Sequence, residues 1–260
     1  MVVKVIIYIC IGILAYLLGS VSSSIIFGKL RFKKDVRAQG SGNAGATNVA
    51  RVFGLKFGFL VLFLDVAKAA IATLGGYYII LLINSFYPFG ADIELFQQIG
   101  KCVAGCCCVL GHCFPLYYKF KGGKAISVGL AVAIAVDWRV GCIALGTFIL
   151  VFLISKIVSL SSVCAAAALA ISGTLFSIFV DPCKPDIVLS VFVGLLAIFM
   201  HRENIKRLVK GEEKRFIPKN SINIHSLYEA LFRASFFAET RTKNFFNTAV
   251  CFRRTQFFLS

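Results

Sequence analysis

Three short polar segments interrupt an otherwise apolar chain, and their residue types suit the binding of an oxyanion. The first reads Gly40-Ser41-Gly42-Asn43-Ala44-Gly45-Ala46-Thr47-Asn48, with Arg51 three residues on. Glycines let backbone N–H groups approach an anion closely, while Ser, Thr and Asn add neutral donors. A short helix starting near Asn48 would aim its N-terminal amides at the same anion, and Arg51 could fork a phosphate bidentately. The second segment reads Gly111-His112-Cys113-Phe114-Pro115, then Phe120-Lys121-Gly122-Gly123-Lys124, two lysines around a glycine pair. The third reads His201-Arg202-Glu203-Asn204, then Arg207, Gly211 and Glu213. His201 and Asn204, spaced i, i+3, share a helix face, and Glu203 and Arg207, spaced i, i+4, are expected to pair with each other.

Simpler readings of the same residues fail on context. Gly40, Gly42 and Gly45 satisfy G-x-G-x-x-G, and Asp65 falls where a ribose-binding acid would sit. No strand precedes them, however, and Asp65 lies inside an apolar run. The lysine loop is not a Walker A motif, since Tyr118 takes its first glycine position and Ala125 follows Lys124. Asp65 and Lys68, i, i+3 within that apolar run, read as an internal ion pair, because charges at membrane depth are paired or face a polar cavity.

The elements that must position these segments are membrane helices. Of 260 residues, 58% are apolar and only 15% charged, against about 45–50% and about 25% in a soluble domain. Mean hydropathy is +0.84. Apolar runs fall at 5–28, 57–83, 98–118, 125–136, 140–155, 160–180 and 186–200, predicting an all-α polytopic membrane protein of about seven spans. The cysteines within these runs behave as small hydrophobes, with no metal-ligand spacing among them. Basic residues then orient the chain. Segment 29–56 carries Lys29, Arg31, Lys33, Lys34, Arg37, Arg51 and Lys56 against Asp35, whereas 84–97 has Asp92 and Glu94 and no Lys or Arg. Segment 117–124 is basic again, and the alternation continues to a basic C-terminal region. It predicts an outside N-terminus and a cytoplasmic C-terminus, so that all three polar segments meet at the cytoplasmic face. The net charge of +16 points to anionic membrane lipids as partners rather than nucleic acid. Residues 216–260, with nine Phe, six basic and two acidic residues, are expected to form a separate interfacial tail, helical near 226–238.

Together the three segments resemble the signature motifs of the bacterial acyl-phosphate-dependent glycerol-3-phosphate acyltransferases, the PlsY family. Asp35-Val36-Arg37, Gly40 through Asn48 and Arg51 match D-I-R…G-S-G-N-x-G-A-T-N-x-x-R. Gly111, His112, Phe114, Pro115 and Phe120 through Lys124 match G-H-x-F-P…F-K-G-G-K-G, and His201 through Ile205, Arg207, Leu208, Gly211 and Glu213 match H-R-E-N-I-x-R-L-x-x-G-x-E. The resemblance covers about residues 5–215. It implies a seven-span enzyme of the bacterial inner membrane, with its active site on the cytoplasmic face. Such an enzyme moves a fatty acyl group from acyl phosphate to glycerol 3-phosphate, giving 1-acyl-glycerol-3-phosphate and phosphate without metal or cofactor. It further implies His201, Asn204 and Lys124 as catalytic residues. Ser41, Gly42, Asn43, Gly45, Ala46, Thr47, Asn48, Arg51, Lys121, Gly122, Gly123 and Ser159 would bind the substrate phosphates, with the choice between Lys121 and Lys124 left open. Four positions depart from the family pattern: Ser22 replaces a Pro, Ala125 replaces the Gly after K-G-G-K, and Ser127-Val128 replaces Ala-Thr.

The residues themselves agree with that chemistry. An acyl phosphate is already activated, so the protein must mainly hold two anionic substrates together. No His-x-x-x-x-Asp dyad exists, since Tyr117, Lys206 and Ala230 stand five residues after His112, His201 and His225. A carrier for an organic phosphate is the competing reading, and cationic groups near the bilayer midplane would favour it.

Overall fold

The computed structural model describes residues 2–90, 92–180 and 184–216. The expected tail helix near 226–238 lies outside the described residues. Among the described residues, ten α-helices account for nearly all regular structure: α1 (Val2–Ser20), α2 (Ser23–Phe32), α3 (Ala46–Phe53), α4 (Leu55–Phe86), α5 (Ile93–Cys113), α6 (Ile126–Val136), α7 (Trp138–Ser155), α8 (Val158–Phe179), α9 (Lys184–Met200) and α10 (Arg202–Val209). The fold is that of an integral membrane protein.

Every apolar run becomes helix, with two adjustments. The first run, 5–28, is not one helix but two, broken at Val21 and Ser22. The second is length. Among the described residues, five segments are long and apolar enough to cross a membrane, six if the bent pair α9–α10 counts as one. Helix α6, at 11 residues, spans only about 16 Å at 1.5 Å per residue, roughly half of a hydrocarbon core of about 30 Å. It stops at Asp137, whose carboxylate accepts from the Arg139 N–H at 2.9 Å and caps the start of α7.

Close helix seams are made by small residues, as expected where lipid supplies no hydrophobic force between helices. On α1, Gly19 lies against the Cys108 carbonyl of α5, and Gly111 of α5 against the Tyr16 carbonyl, so a Cβ at either would overlap backbone. The pairing of Tyr8 with Phe96 and Tyr16 with Phe114 shows that α1 and α5 run parallel. Parallel α1 and α5 bring their C-terminal ends together, and the Ser20 hydroxyl accepts from Leu116 N at 3.3 Å. The starts of α4, α6 and α8 and the ends of α7 and α9 reach the same end of the bundle, where all three polar segments lie. A main core of Ile80, Val109, Val132, Leu189 and Val193 fills the bundle, while Ile25, Val36, Val49 and Val61 anchor the first loop.

Candidate active site

The first polar segment folds back on itself around one side chain. Asn48 is 1% exposed; its Nδ2 donates to the Val36, Gln39 and Asn43 carbonyls, each at 3.0 Å, while its Oδ1 accepts from Ser41 N at 2.8 Å. Helix α3 starts at Ala46 rather than near Asn48, with Gly45 as its N-cap, so the first amides of α3 have no intrahelical acceptor. Asn48 therefore shapes the loop: with its amide engaged on both sides, it has no donor left for a phosphate. Gly40 and Gly42 take φ of 63° and 72°, conformations that side chains resist.

Arg37 ties this loop to the second. Its guanidinium forks the Asp35 carboxylate at 2.8 Å and donates from Nη1 to the Tyr118 and Lys121 carbonyls at 3.1 and 3.2 Å. That hydrogen-bonded pairing holds the Asp35 carboxyl below its usual value. Within the second loop, Gly122 N and Gly123 N donate to the Cys113 and His112 carbonyls at 3.2 and 3.0 Å, closing the end of α5. Both amides are thus engaged, and a Cβ on Gly123 would overlap the His112 ring. Gly122 and Gly123 pack the loop rather than offering donors. Of the two lysines, Lys124 lines the cleft, and Lys121 with Gly42 lies outside its lining.

Ala125, which replaces the family's glycine, sits at φ 67°. A left-handed L-residue costs about 1–2 kcal/mol, part of which glycine returns through unfolded-chain entropy. We expect Ala125→Gly to stabilise the protein by up to about 1 kcal/mol, read as a higher melting temperature in detergent.

A chain of contacts joins the second and third segments. Lys124 Nζ donates to Asn204 Oδ1, and Asn204 Nδ2 donates to Glu213 Oε1 at 2.7 Å. Ser159 Oγ donates to the same oxygen at 2.8 Å, and Arg207 Nε donates to Glu213 Oε2 at 2.7 Å. Arg207 therefore pairs with Glu213, not with Glu203, which pairs with Lys206 at 3.1 Å. The turn after α10 explains the change. Gly211 takes φ 71° and Glu212 N donates to the Arg207 carbonyl at 2.8 Å, which brings Glu213 back against Arg207, while Glu203 stays on the exposed surface with Lys206. Sequence spacing alone gave no signal that Glu213 accepts from three partners, beyond its place in the third motif. Burial tends to raise the Glu213 pKa, but its bonds from Arg207, Asn204 and Ser159 outweigh that and hold it below the usual value.

These elements enclose one cleft of about 770 Å³. Its polar end is lined by Ser41, Asn43, Gly45, Ala46, Thr47, Asn48, Arg51, Lys124, Ser159, His201, Asn204, Arg207 and Glu213. Its other walls are apolar: Leu55, Phe59 and Leu62 of α4, Ile126 and Leu130 of α6, Leu145, Phe148 and Phe152 of α7, Ala165, Ala166 and Leu169 of α8, and Val193 and Ala197 of α9. His201 is 4% exposed, and its Nδ1 donates to the Ala197 carbonyl at 2.8 Å. A carbonyl can only accept, so Nδ1 carries the proton and the neutral ring presents Nε2 as an acceptor. Arg51 has no carboxylate partner among the described residues. Burial and the charges of Arg207, Arg202 and Arg51 depress the Lys124 pKa, against an opposing pull from Glu213. Cations held together at such a cost mark a place for an anion. Among the described residues, no three His, Cys, Asp or Glu side chains gather as metal ligands.

Comparisons with known proteins agree with this geometry. The family model for glycerol-3-phosphate acyltransferase matches residues 9–211. The chain is similar to a glycerol-3-phosphate acyltransferase of Staphylococcus carnosus, 38% identical over 203 residues, covering 78% of this chain and 95% of that protein. It is equally similar to one of Prochlorococcus marinus, 38% identical over 218 residues, covering 83% and 98%. Among solved structures it resembles PlsY, an integral membrane glycerol 3-phosphate acyltransferase, in its glycerol 3-phosphate form, with a TM-score of 0.64 at 33% identity over 81% of this chain and 96% of that one. The lysophosphatidic acid form of the same protein gives a TM-score of 0.61. With three motifs converging on one cleft and a family match across most of its length, this chain belongs to the glycerol-3-phosphate acyltransferase family.

Proposed function

We propose that this protein transfers a fatty acyl group from acyl phosphate to the hydroxyl of glycerol 3-phosphate, releasing phosphate and 1-acyl-glycerol-3-phosphate. One observation carries the reading: the cleft joins a cationic end, where Arg51 has no carboxylate partner among the described residues, to a long apolar wall, as a substrate with a phosphate head and an acyl chain requires. The carriage of an organic phosphate, by contrast, would call for unpaired cations deep among the helices; the cations of the cleft's polar end gather at one end, and the deeper Lys68 is paired with Asp65.

The phosphates lie against the α3 amides, Ser41, Thr47, Arg51 and Lys124, with the acyl chain between α4 and α7. The hydroxyl oxygen attacks the acyl carbonyl, the new ester C–O bond forms, and the bond from the acyl carbon to the phosphate oxygen breaks. Glu213 is held by three donors and does not serve as the base. The leaving phosphate takes the hydroxyl proton. The neutral His201 ring accepts at Nε2 a hydrogen bond from the second hydroxyl of glycerol 3-phosphate and so orients that substrate. Asn204 and Glu213 position Lys124. The polar end faces the cytoplasm in a seven-crossing arrangement, with basic loops against anionic lipid headgroups of the inner membrane.

The test is acylation of glycerol 3-phosphate by palmitoyl phosphate in purified protein. We expect turnover that a chelator leaves unchanged, and little turnover with acyl-CoA; equal rates with both donors overturn the reading of the donor.

The tail boundary has its own test. Phe216 N donates to the Lys156 carbonyl at 2.8 Å, and Phe216 lines the cleft. Truncation after Phe216 is therefore expected to retain specific activity, whereas truncation before Glu213 removes its contacts to Ser159, Asn204 and Arg207 and lowers activity at least tenfold.

A further inference from the structure

Beside the cleft, on its α5 wall, lies a buried group that the transfer step above does not use. Lys68 of α4 has three ammonium protons, and the structure gives each an acceptor. Nζ lies 2.8 Å from the Val21 carbonyl, 3.0 Å from Asp65 Oδ1 and 3.2 Å from His112 Nδ1. Ser23 Oγ also donates to Asp65 Oδ1, at 3.2 Å. An ammonium only donates, so His112 Nδ1 must accept, and the neutral ring then carries its proton on Nε2. His112 is 5% exposed yet belongs to the cleft lining, and among the described residues its ring is hydrogen-bonded only at Nδ1. The ring is also fixed sideways, with Gly123 against its Nε2 edge, leaving no room for a side chain there.

This arrangement is the opposite of that at His201. There a carbonyl fixes the proton on Nδ1 and leaves Nε2 an acceptor; here a lysine occupies Nδ1 and leaves Nε2 a donor. Two histidines on one cleft are thus set in complementary forms by their backing groups.

We infer that His112 is a substrate-contacting residue whose Nε2–H donates to an anionic oxygen of the bound substrates, and that Asp65 and Lys68 are positioning residues that lock its tautomer. Asp65 compensates the lysine charge at depth, so that the donor is a neutral imidazole and not a second cation. The inference rests on the cleft being the substrate site, but not on the identity of the acyl donor.

The experiment reads the tautomer directly. The full chain is labelled with ¹⁵N-histidine, purified in detergent, and its ring nitrogens observed at neutral pH with and without glycerol 3-phosphate. The expected result is an unprotonated Nδ1 and a protonated Nε2 at His112, with the Nε2–H resonance shifting as glycerol 3-phosphate is added. In Lys68→Met the fixed Nε2–H form is lost while His201 keeps its Nδ1–H form. A proton on Nδ1 of His112 in the wild type, or an Nε2–H resonance indifferent to glycerol 3-phosphate, overturns the inference. Kinetics supply the second arm. His112→Gln keeps an N–H donor and is expected to retain activity within about tenfold, whereas His112→Leu loses roughly 10–150-fold in kcat/KM at an unchanged melting temperature. If acyl phosphate is not the donor, the kinetic arm falls silent for every variant, wild type included, and the titration with glycerol 3-phosphate still decides. A Leu variant with wild-type kcat and KM in an active background overturns the inference.

Discussion

Glu213→Gln is expected to lower kcat/KM by roughly 10–150-fold, although it changes only one atom of the side chain. The carboxylate accepts on both oxygens: Ser159 and Asn204 on Oε1, Arg207 on Oε2. An amide nitrogen cannot accept, so whichever way the glutamine turns, one side meets donor against donor. A lost hydrogen bond to a charged group costs about 1.5–3 kcal/mol, which sets the range of the fold-change. The damage passes through Asn204 to Lys124, since Lys124 donates to the oxygen of the amide that Glu213 orients. A double-mutant cycle checks this route. Asn204→Ala and Glu213→Gln are expected to be strongly non-additive, the second change adding little to the first. Additive effects would place Glu213 outside the path to Lys124.

How much of this was legible in the sequence follows from how local each signal is. Glycine spacing, the lysine pair and Arg51 announce themselves because a phosphate site needs close backbone approach and fixed cations within a few residues. The apolar runs are equally local and all became helix. What the sequence did not show was which groups are already engaged. Asn48 carries the right chemistry for a phosphate ligand, yet three carbonyls 5, 9 and 12 residues away in sequence claim its amide. Gly122 and Gly123 look like anion-binding amides until the end of α5 is seen to accept from them. Beyond its place in the third motif Glu213 gave no sign of its role, because the turn at Gly211 carries it back to partners on α8 and α10. Helical spacing favoured Glu203 for Arg207, and that argument fails wherever the chain turns beyond the helix end to offer a better-buried carboxylate. Asp65 and Lys68, by contrast, form the expected ion pair at 3.0 Å, since i, i+3 spacing within an unbroken helix leaves them little choice.

Arg51→Lys is expected to lower kcat/KM by roughly 10–150-fold with the melting temperature unchanged. Arg51 stands on α3, one turn past the amides of Ala46 and Thr47, and lines the polar end of the cleft. Because it has no carboxylate partner among the described residues, its replacement breaks no internal ion pair, and folding should not register the change. What it loses is the planar fork that can hold two phosphate oxygens at once, for which an ammonium offers only a point charge. If Arg51 served only to keep its loop cytoplasmic, lysine would serve as well, since orientation counts charge and not geometry. The two readings therefore part on one measurement. The loss should also fall mainly on KM for glycerol 3-phosphate or for the acyl donor, whichever phosphate Arg51 holds, and the substrate whose KM moves identifies that phosphate. Unchanged kcat and KM in Arg51→Lys, in protein that turns over normally, would remove Arg51 from the phosphate site and leave Lys124 with the α3 amides to hold the anion.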